Sequence, residues 1–325
     1  MSALKKVLEC ISNLTEEKLG LLLEFVLQLL PAEEDRPCCP HCGNAYVIKY
    51  GKKDGKQRFQ CKNCHKTFML TTNTIAAESH QPFSVWRQFV ADTLHLRPLD
   101  ESAQELGLSH QCAFDMRHKI LFALQDMYQD NPIMLGEVTE LDETYVLESY
   151  KGKELPPEAG RTARKHGAKA SKPGLSNEQI CVCAGVQRSG VPFAIAVNRA
   201  KPSIVELKEA FRGHINKSAM LLCDGLRGYS SLKTLTDCEV LDVNSADLKK
   251  KSFYNLNSIN NFHSFIKKQY RAWRGVATKY LNRYMTLLCT VYRTVNAPVD
   301  QLLKCSQRCY FHPTREVKSA GLLII

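Results

Sequence analysis

The sequence lacks an apolar run long enough to span a bilayer, and its first residues lack the features of a secretory signal. The longest apolar stretch, residues 19–30, is interrupted by Glu24 and Gln28, whereas a membrane-spanning helix needs about 20 predominantly apolar residues. A secretory signal would show a basic region, an apolar region and a small-residue cleavage site in that order. From both absences we expect a cytoplasmic protein.

Acidic residues are in the minority, and one long segment contains none. The 325 residues include 44 Lys and Arg against 33 Asp and Glu, which gives a formal net charge of +11. No acidic residue lies between Asp247 and Asp300. The excess charge fits a solvated basic surface, and it fits a polyanion partner equally well, because each Lys or Arg that contacts a phosphate releases counterions. The hydrophobic fraction of 44% is ordinary for globular proteins. A chain of 325 residues with this composition predicts two or three folded domains.

Four of the 14 cysteines have the spacing of a metal site. The motif Cys39-Pro-His-Cys42 is followed, after 18 residues, by Cys61-Lys-Asn-Cys64. Each pair lies on a tight turn where two thiolates converge, and four thiolates complete a tetrahedral structural zinc site. We therefore predict a zinc ribbon, with the adjacent Cys38 as an alternative ligand.

The segment between the two cysteine pairs alternates like a β-hairpin and is basic. Asp54-Gly55 has the form of a two-residue hairpin turn. The predicted ribbon covers residues 36–75, and three of its basic residues are candidates for contacts with a DNA backbone. These residues are Lys52, Lys53 and Arg58.

Residues 99–118 have the pattern of a helix-turn-helix. Gly107 supplies the turn, Ala103 is the small residue where two helices meet, and Ser109 is placed to cap the second helix. In such a unit the second helix lies in the major groove, within a DNA-binding domain that we place at residues 80–130. A plain helical hairpin is the alternative. The residues predicted to face outward and contact DNA are His110, Gln111 and Arg117.

From about residue 134 the apolar pattern changes from helical to strand-like. Three strands are followed by a helix, a strand, a second helix over residues 229–235, a strand and a final helix, which is the order of RNase H-like domains, with a mixed sheet covered by helices. We therefore predict an α/β fold, with an RNase H-like catalytic domain over residues 134–295 that follows the zinc ribbon and the helix-turn-helix. The predicted strands are residues 138–147, 179–187, 191–198, 219–223 and 239–243.

Three further segments complete the chain. Residues 1–35 have the apolar spacing of a helical segment that packs against the rest of the chain or forms a multimer contact. Residues 151–177 carry seven Lys or Arg against two Glu without apolar periodicity. This insert is either a solvated linker or a DNA-backbone contact that includes Lys165. Residues 296–325 form a tail to which the sequence assigns no role.

Two aspartates stand in or at the end of apolar strands. Asp142 lies in Glu140-Leu-Asp-Glu-Thr-Tyr, and Asp224 ends the run Leu-Leu-Cys-Asp-Gly. A carboxylate in such a place is costly unless something compensates its charge. Two of them on neighbouring strands can share divalent cations, which promote in-line phosphoryl transfer. Either aspartate alone would fit a strand end or a turn, but the pair in this order predicts a Mg²⁺ or Mn²⁺ site.

A third metal ligand would come from the late helix, residues 258–274. This helix contains no Asp or Glu, so the ligand there would be an amide or another non-acidic group. The apolar stripe of this helix is flanked by a face that carries Asn260 and Lys267 at helical spacing. We predict that Asn260 is an amide ligand for Mg²⁺ and that Lys267 holds a phosphate or the cleaved end. A helix that has lost its third ligand is the other interpretation. The remaining candidate ligands are Asn257, Asn261 and His263. Further DNA-contact candidates on this helix are Lys268, Arg271 and Arg274.

With these motifs, the chain resembles the transposases of small bacterial insertion sequences that carry an N-terminal zinc ribbon and a DDE-type catalytic domain. The resemblance runs from about residue 37 to 293 and rests on the two cysteine motifs, Leu-Asp-Glu-Thr-Tyr, Cys-Asp-Gly and Asn-Ser-Ile-Asn-Asn-Phe-His-Ser-Phe-Ile-Lys. It implies that Asp142 and Asp224 are the first two catalytic acids. It also implies that Asn260 places the chain in a subgroup with Asn instead of the third acid, and that Lys267 is the family lysine that follows.

The resemblance implies a DNA transposase that binds the terminal inverted repeats of its element and cleaves and joins DNA strands. Its cofactors would be structural Zn²⁺ and catalytic Mg²⁺ or Mn²⁺. Its partner would be double-stranded DNA, as element ends and as target, and holding two ends together implies a homodimer or a larger assembly, without a membrane. The alternatives are a catalytically inactive DNA-binding regulator derived from a transposase and an RNase H-like nuclease without joining activity.

Overall fold

The computed structural model describes residues 37–130, 132–159, 162, 170, 176–244 and 253–296. The chain divides into two units, and the boundary between them falls between Met127 and Tyr128 in the sequence. The predicted N-terminal helical segment, the tail after residue 296, Lys165 and most of the basic insert lie outside the described residues. None of the helices in the described part combines the length and apolar character that a membrane span needs.

The first unit begins with a three-stranded antiparallel ribbon. Its strands are β1 (Val47–Lys53), β2 (Lys56–Cys61) and β3 (Thr67–Met69), in the order β1-β2-β3. Asp54 and Gly55 both adopt positive φ, at 51° and 76°, as the central residues of a two-residue type I′ turn require. The predicted ribbon hairpin is therefore confirmed.

A small apolar core holds the ribbon together. The rings of Phe59 and Phe68 stack with centroids 5.7 Å apart, and both side chains are buried together with Val47. Because so small a core buries little apolar surface, a domain of this size depends on a metal or a disulfide for much of its stability.

Three helices follow the ribbon: α1 (Phe83–Leu94), α2 (Leu99–Glu105) and α3 (His110–Asp130). Gly107 has a φ of +63° in the turn between α2 and α3. The hydroxyl of Ser109 accepts a hydrogen bond from the backbone N–H of Cys112 at 3.2 Å, as an N-cap residue does. Ala103 is buried at the junction, so the predicted pair of helices joined by a glycine turn is present.

One residue of this helix pair departs from the prediction. The sequence predicted that Arg117 faces outward, but its side chain is only 1% exposed. Its guanidinium donates to the carbonyl oxygen of Arg97 at 3.1 Å and lies 5.4 Å from the ring of Phe89. Arg117 lies four residues after the buried Ala113, so helical periodicity places both on the packed face. The prediction of Arg117 as an outward-facing DNA contact is wrong.

The second unit contains a five-stranded mixed sheet. The strands are β4 (Val138–Leu147), β5 (Gln179–Gln187), β6 (Pro192–Arg199), β7 (Met220–Cys223) and β8 (Glu239–Asp242). Their order is β6-β5-β4-β7-β8. Strand β5 runs antiparallel to both β4 and β6, whereas β7 runs parallel to β4 and β8 runs parallel to β7. The first three strands therefore form a meander, and the two later strands extend the sheet on the far side of β4.

The helices of this unit are α4 (Ile204–Phe211), α5 (Leu226–Tyr229), α6 (Asn257–Ala272) and α7 (Leu281–Asn296). Ser203 and Glu206 form a capping box that starts α4, which explains where the helix begins. The helix predicted over residues 229–235 is instead a 3₁₀ turn, Ser230–Thr234, directly after the single turn of α5. The order of strands and helices is otherwise the predicted one.

The final helix completes the outer edge of the sheet. The side-chain amide of Asn282 accepts from the backbone N–H of Ala196 at 2.7 Å and donates to its carbonyl oxygen at 3.2 Å. Two backbone groups of the edge strand β6 thus find partners on α7, as unpaired strand edges require. Apolar residues of α7, including Leu281 and Met285, are fully buried.

Candidate active site and metal centres

Four thiols converge at one end of the ribbon. The sulfur atoms of Cys39, Cys42, Cys61 and Cys64 all lie within 4.8 Å of one another. The Cys39–Cys64 and Cys42–Cys61 pairs are both 3.6 Å apart, close to the edge of about 3.8 Å that a tetrahedron with metal–sulfur bonds of about 2.3 Å would have. The four-thiolate donor set predicted from the two cysteine motifs is therefore assembled, without Cys38.

The electrostatics of this cluster favour a cation. A hydrogen bond from the backbone N–H of Asn44, followed by those from neighbouring thiols, lowers the pKa of Cys42 to about 6. The backbone N–H of Lys66 also lowers the pKa of Cys64, but burial and the adjacent thiols outweigh it and raise that pKa to about 11. One thiolate forms readily and further negative charge is opposed, so a bound cation would stabilise four thiolates together.

The two predicted catalytic carboxylates stand on adjacent parallel strands. Leu141 of β4 pairs with Cys223 of β7, and the next residue on each strand is Asp142 and Asp224. Neighbouring residues in register on adjacent strands point to the same face of a sheet. Two acids that are 82 positions apart in sequence are thus placed side by side at the carboxyl end of β7.

The surroundings of Asp142 disfavour its ionised form. Burial is the largest effect, and with the charges of Glu143 and Asp224 it raises the pKa of Asp142 to about 6. The backbone N–H of Glu143, at 2.9 Å from Asp142 Oδ1, and the charge of Lys267 act in the opposite direction. A half-buried carboxylate beside a second carboxylate is an arrangement that a divalent cation would relieve.

Helix α6 carries the predicted amide and lysine, and two of its residues interact with Asp142. Nδ1 of His263 lies 3.7 Å from Asp142 Oδ2, and the charge of Lys267 acts on the Asp142 carboxylate. At 100° per residue, Asn260 and Lys267 flank the buried stripe of α6 on the side of His263. Asn260 and Lys267 are both exposed. The structure thus brings Asp142, Asp224 and Lys267 together, with Asn260 one helical turn before His263.

Sequence reasoning undervalued three residues of this site. His263 was an alternative ligand, yet it is only 6% exposed beside Asp142, and burial first, then Lys267, lowers its pKa to about 4. Asn244, which follows β8, donates its side-chain amide to Asp224. Glu140 shares the face of β4 that carries Asp142, since residues two apart in a strand point the same way. That period of two was the available signal for Glu140, whereas nothing in the sequence indicated Asn244.

The predicted DNA-contact residues are distributed over both units. In the first unit, Lys52, Lys53, His110 and Gln111 are exposed and Arg58 is half-buried. Arg58 lies over the ring of Tyr50, and His110 contacts Asp100 at 2.6 Å. In the second unit, three basic residues of α6 are exposed: Lys268, Arg271 and Arg274. All of these except Arg58 are thus accessible to a partner.

Comparison with known proteins agrees with the chemistry of the carboxylate site. Residues 134–293 match the family model of the ISXO2-like transposase domain. A protein of Halobacterium salinarum, described as an uncharacterized protein in transposable element ISH50, is 28% identical over 199 residues. That alignment covers 60% of this chain and 64% of the relative, so the chain spans slightly less than two thirds of the relative's length.

Structures of the Mos1 transposase are also similar at low identity. The pre-cleavage Mos1 transpososome is 13% identical, with a TM-score of 0.22 over 69% of this chain and 78% of that chain. The Mos1 paired-end complex with the left transposon end is 14% identical, with a TM-score of 0.26 over the same shares. Scores this low do not establish a common fold. Residues 134–293, slightly less than half of the chain, thus match the ISXO2-like transposase domain, and this match confirms the predicted resemblance to an insertion-sequence transposase.

Proposed function

We propose that this protein is a DNA transposase that cleaves and joins DNA strands at the site formed by Asp142 and Asp224. The observation that carries the proposal is the placement of these two carboxylates side by side on β4 and β7, within residues that match a transposase domain. Polynucleotidyl transfer needs a pair of such acids to hold divalent cations against the reacting phosphate.

The residues around the two acids suit this chemistry. Asp142 and Asp224 would hold Mg²⁺ or Mn²⁺ with the amide oxygen of Asn260 as the third ligand, because hard oxygen donors suit these ions. The bound ion would stabilise the charge that develops on the transferring phosphate. Lys267, exposed beside Asp142, is placed to hold a phosphate oxygen or the cleaved end. His263 is uncharged at neutral pH, since its pKa is about 4, and its side chain is buried beside Asp142 of β4.

The strand order supports an RNase H-like arrangement for this unit. An antiparallel meander of three strands, extended by two parallel strands on the side of β4, places the end of β7 next to the middle of β4. The late helix α6 then lies against β4 and carries the third ligand toward Asp142. In this proposal, Asn260 occupies the place of the third acid.

The first unit would recognise the ends of the element. Zn²⁺ is the ion that best fits four thiolates at tetrahedral spacing, and it would hold the ribbon that carries Lys52 and Lys53. The α2–α3 pair would act as a helix-turn-helix, with His110 and Gln111 at the exposed start of the second helix. Basic residues of α6 would bind the DNA backbone near the catalytic site. Two element ends have to be held together, so we propose at least a homodimer on DNA.

The test is strand cleavage of DNA that carries the ends of the protein's own element, in Mg²⁺ and in Mn²⁺. The control is the Asp142→Ala/Asp224→Ala variant at matched zinc content. We expect cleavage at the element boundary, followed by joined products, from the natural protein only. Binding without cleavage in both metals would overturn the proposal in favour of an inactive DNA-binding regulator. Cleavage without any joined product would favour a nuclease.

A further inference from the structure

Glu140 is a fully buried carboxylate that the catalytic proposal does not use. It lies two residues before Asp142 on the same face of β4, and its side chain is 0% exposed. Arg188, near the β5–β6 turn, donates from Nε to Glu140 Oε1 at 3.1 Å. A buried carboxylate is costly unless it is paired and hydrogen-bonded, so the contacts of Glu140 indicate what it does.

Besides Arg188, Glu140 contacts the first turn of α6. Glu140 Oε2 accepts from the backbone N–H groups of Ser258 and Ile259 at 2.7 and 3.0 Å, and Oε1 accepts from the Ser258 hydroxyl at 3.1 Å. The first N–H groups of a helix have no partner within the helix. The N-cap residue of α6, Leu256, makes no side-chain cap, and the first turn contains no acid. Glu140 thus supplies from a neighbouring strand what a local cap normally supplies.

Arg188 extends the same anchor to the segment before the helix. Its guanidinium donates to the carbonyl oxygens of Phe253 and Asn255, at 2.5 and 3.4 Å, and lies 4.3 Å from the centre of the Phe253 ring. The Glu140–Arg188 pair therefore ties the entry into α6, as well as its first turn, to the strand that carries Asp142.

We propose that Glu140 is a positioning residue that holds the first turn of α6 on β4 and thereby sets the distance from Asp142 to Asn260. The inference rests on the proposed function, because it assumes that Asp142 and Asn260 bind the same ion. Asn260 directly follows Ile259, whose N–H is bonded to Glu140, so a shift of this turn moves the amide ligand. Groups that orient metal ligands typically change metal affinity about 10- to 100-fold when they are removed.

The test is a calorimetric titration of the zinc-loaded full chain with Mn²⁺, without DNA. Glu140→Gln is the test variant, and Glu148→Gln is its matched control. Glu148 is also a buried carboxylate after β4; it is paired with Arg199 at 2.6 Å and accepts a hydrogen bond from the Tyr150 hydroxyl at 3.1 Å. The Asp142→Asn/Asp224→Asn variant provides the baseline without the metal site.

We expect Glu140→Gln to weaken Mn²⁺ binding about 10- to 100-fold, while Glu148→Gln, with a similar loss of thermal stability, stays within about twofold of the natural protein. Equal affinity in Glu140→Gln and the natural protein would overturn the positioning role and leave the proposed function intact. Absence of Mn²⁺ binding in the natural protein would overturn both. If Glu140→Gln does not fold, the Ser258→Ala variant is titrated instead, since it removes the hydrogen bond from the Ser258 hydroxyl to Glu140. A smaller loss of affinity is expected there, and unchanged affinity contradicts the inference.

Discussion

The two proposed metal centres are built in opposite ways. All ligands of the thiol cluster lie within 26 consecutive residues, on two turns of one ribbon. The carboxylate site takes Asp142 from β4, Asp224 from the end of β7 and Asn260 from α6. The first site is a local motif that the chain closes with a short hairpin. The second exists only when a sheet and a helix have packed, so its geometry depends on contacts far from the ligands in sequence.

The largest effect expected from this comparison is the loss of the local site. Cys61→Ser should abolish zinc binding and unfold the ribbon, because structural zinc contributes about 10 to 16 kcal/mol of apparent binding free energy in zinc-finger peptides. Zinc content by atomic emission and binding of element-end DNA would both be lost, whereas Mn²⁺ binding at the carboxylate site would remain. Cys38→Ser is the control and should keep its zinc, since Cys38 lies outside the cluster. Zinc loss in that control would contradict the ligand set.

The next effect concerns the long-range site. Asp142→Asn should lower the cleavage rate by about a thousandfold or more, because charge stabilisation by the metal provides several kcal/mol and each 1.36 kcal/mol is a factor of ten. Zinc content and DNA binding should be unchanged, which would separate the two centres. The measurement is single-turnover cleavage at saturating DNA, and activity within about tenfold of the natural protein would remove Asp142 from the metal site.

A smaller effect distinguishes the candidate ligands of α6. Asn260→Ala should reduce Mn²⁺ affinity at least as much as loss of an outer-shell group does, about 10- to 100-fold, whereas Asn260→Asp should retain binding through its carboxylate oxygen. Asn261→Ala is a matched control, because Asn261 is exposed and lies 100° further around the helix than Asn260, on the side away from His263. A greater loss in His263→Ala than in Asn260→Ala, with helix content preserved, would assign the third ligand to the imidazole.

The smallest effect is the pH dependence of the carboxylate site. Burial, with the neighbouring carboxylates, raises the pKa of Asp142 to about 6, so protons compete with the metal below that pH. Mn²⁺ affinity should fall roughly tenfold for each pH unit below 6. In the metal-free protein, the folding stability changes with pH in the opposite direction to the metal affinity. Since the folded-state pKa lies above the unfolded value of about 3.9, the stability contributed by this group increases as pH falls from about 6 to about 4. Both trends should disappear in Asp142→Asn, and a flat metal titration between pH 5 and 7 would contradict them.

Much of the architecture followed from short-range patterns. Strand-like apolar segments located each strand of the sheet, and the glycine turn at Gly107 located the α2–α3 junction. The helix predicted at residues 229–235 was less accurate, since only Leu226–Tyr229 is α-helical and Ser230–Thr234 is a 3₁₀ turn. A segment this short has too few residues for periodicity to separate the two helix types.

The sequence by itself indicated the thiol cluster, the order of the strands and two acids in or at the end of apolar strands, because each depends on a pattern or spacing within a short stretch of the chain. Only the tertiary structure decided which face of α3 is buried, and so removed Arg117 from the accessible surface. It also decided that Glu140 caps α6 and that His263 packs beside Asp142. The last two outcomes depend on partners more than 100 positions away, and no local pattern records which buried polar group will satisfy which distant backbone.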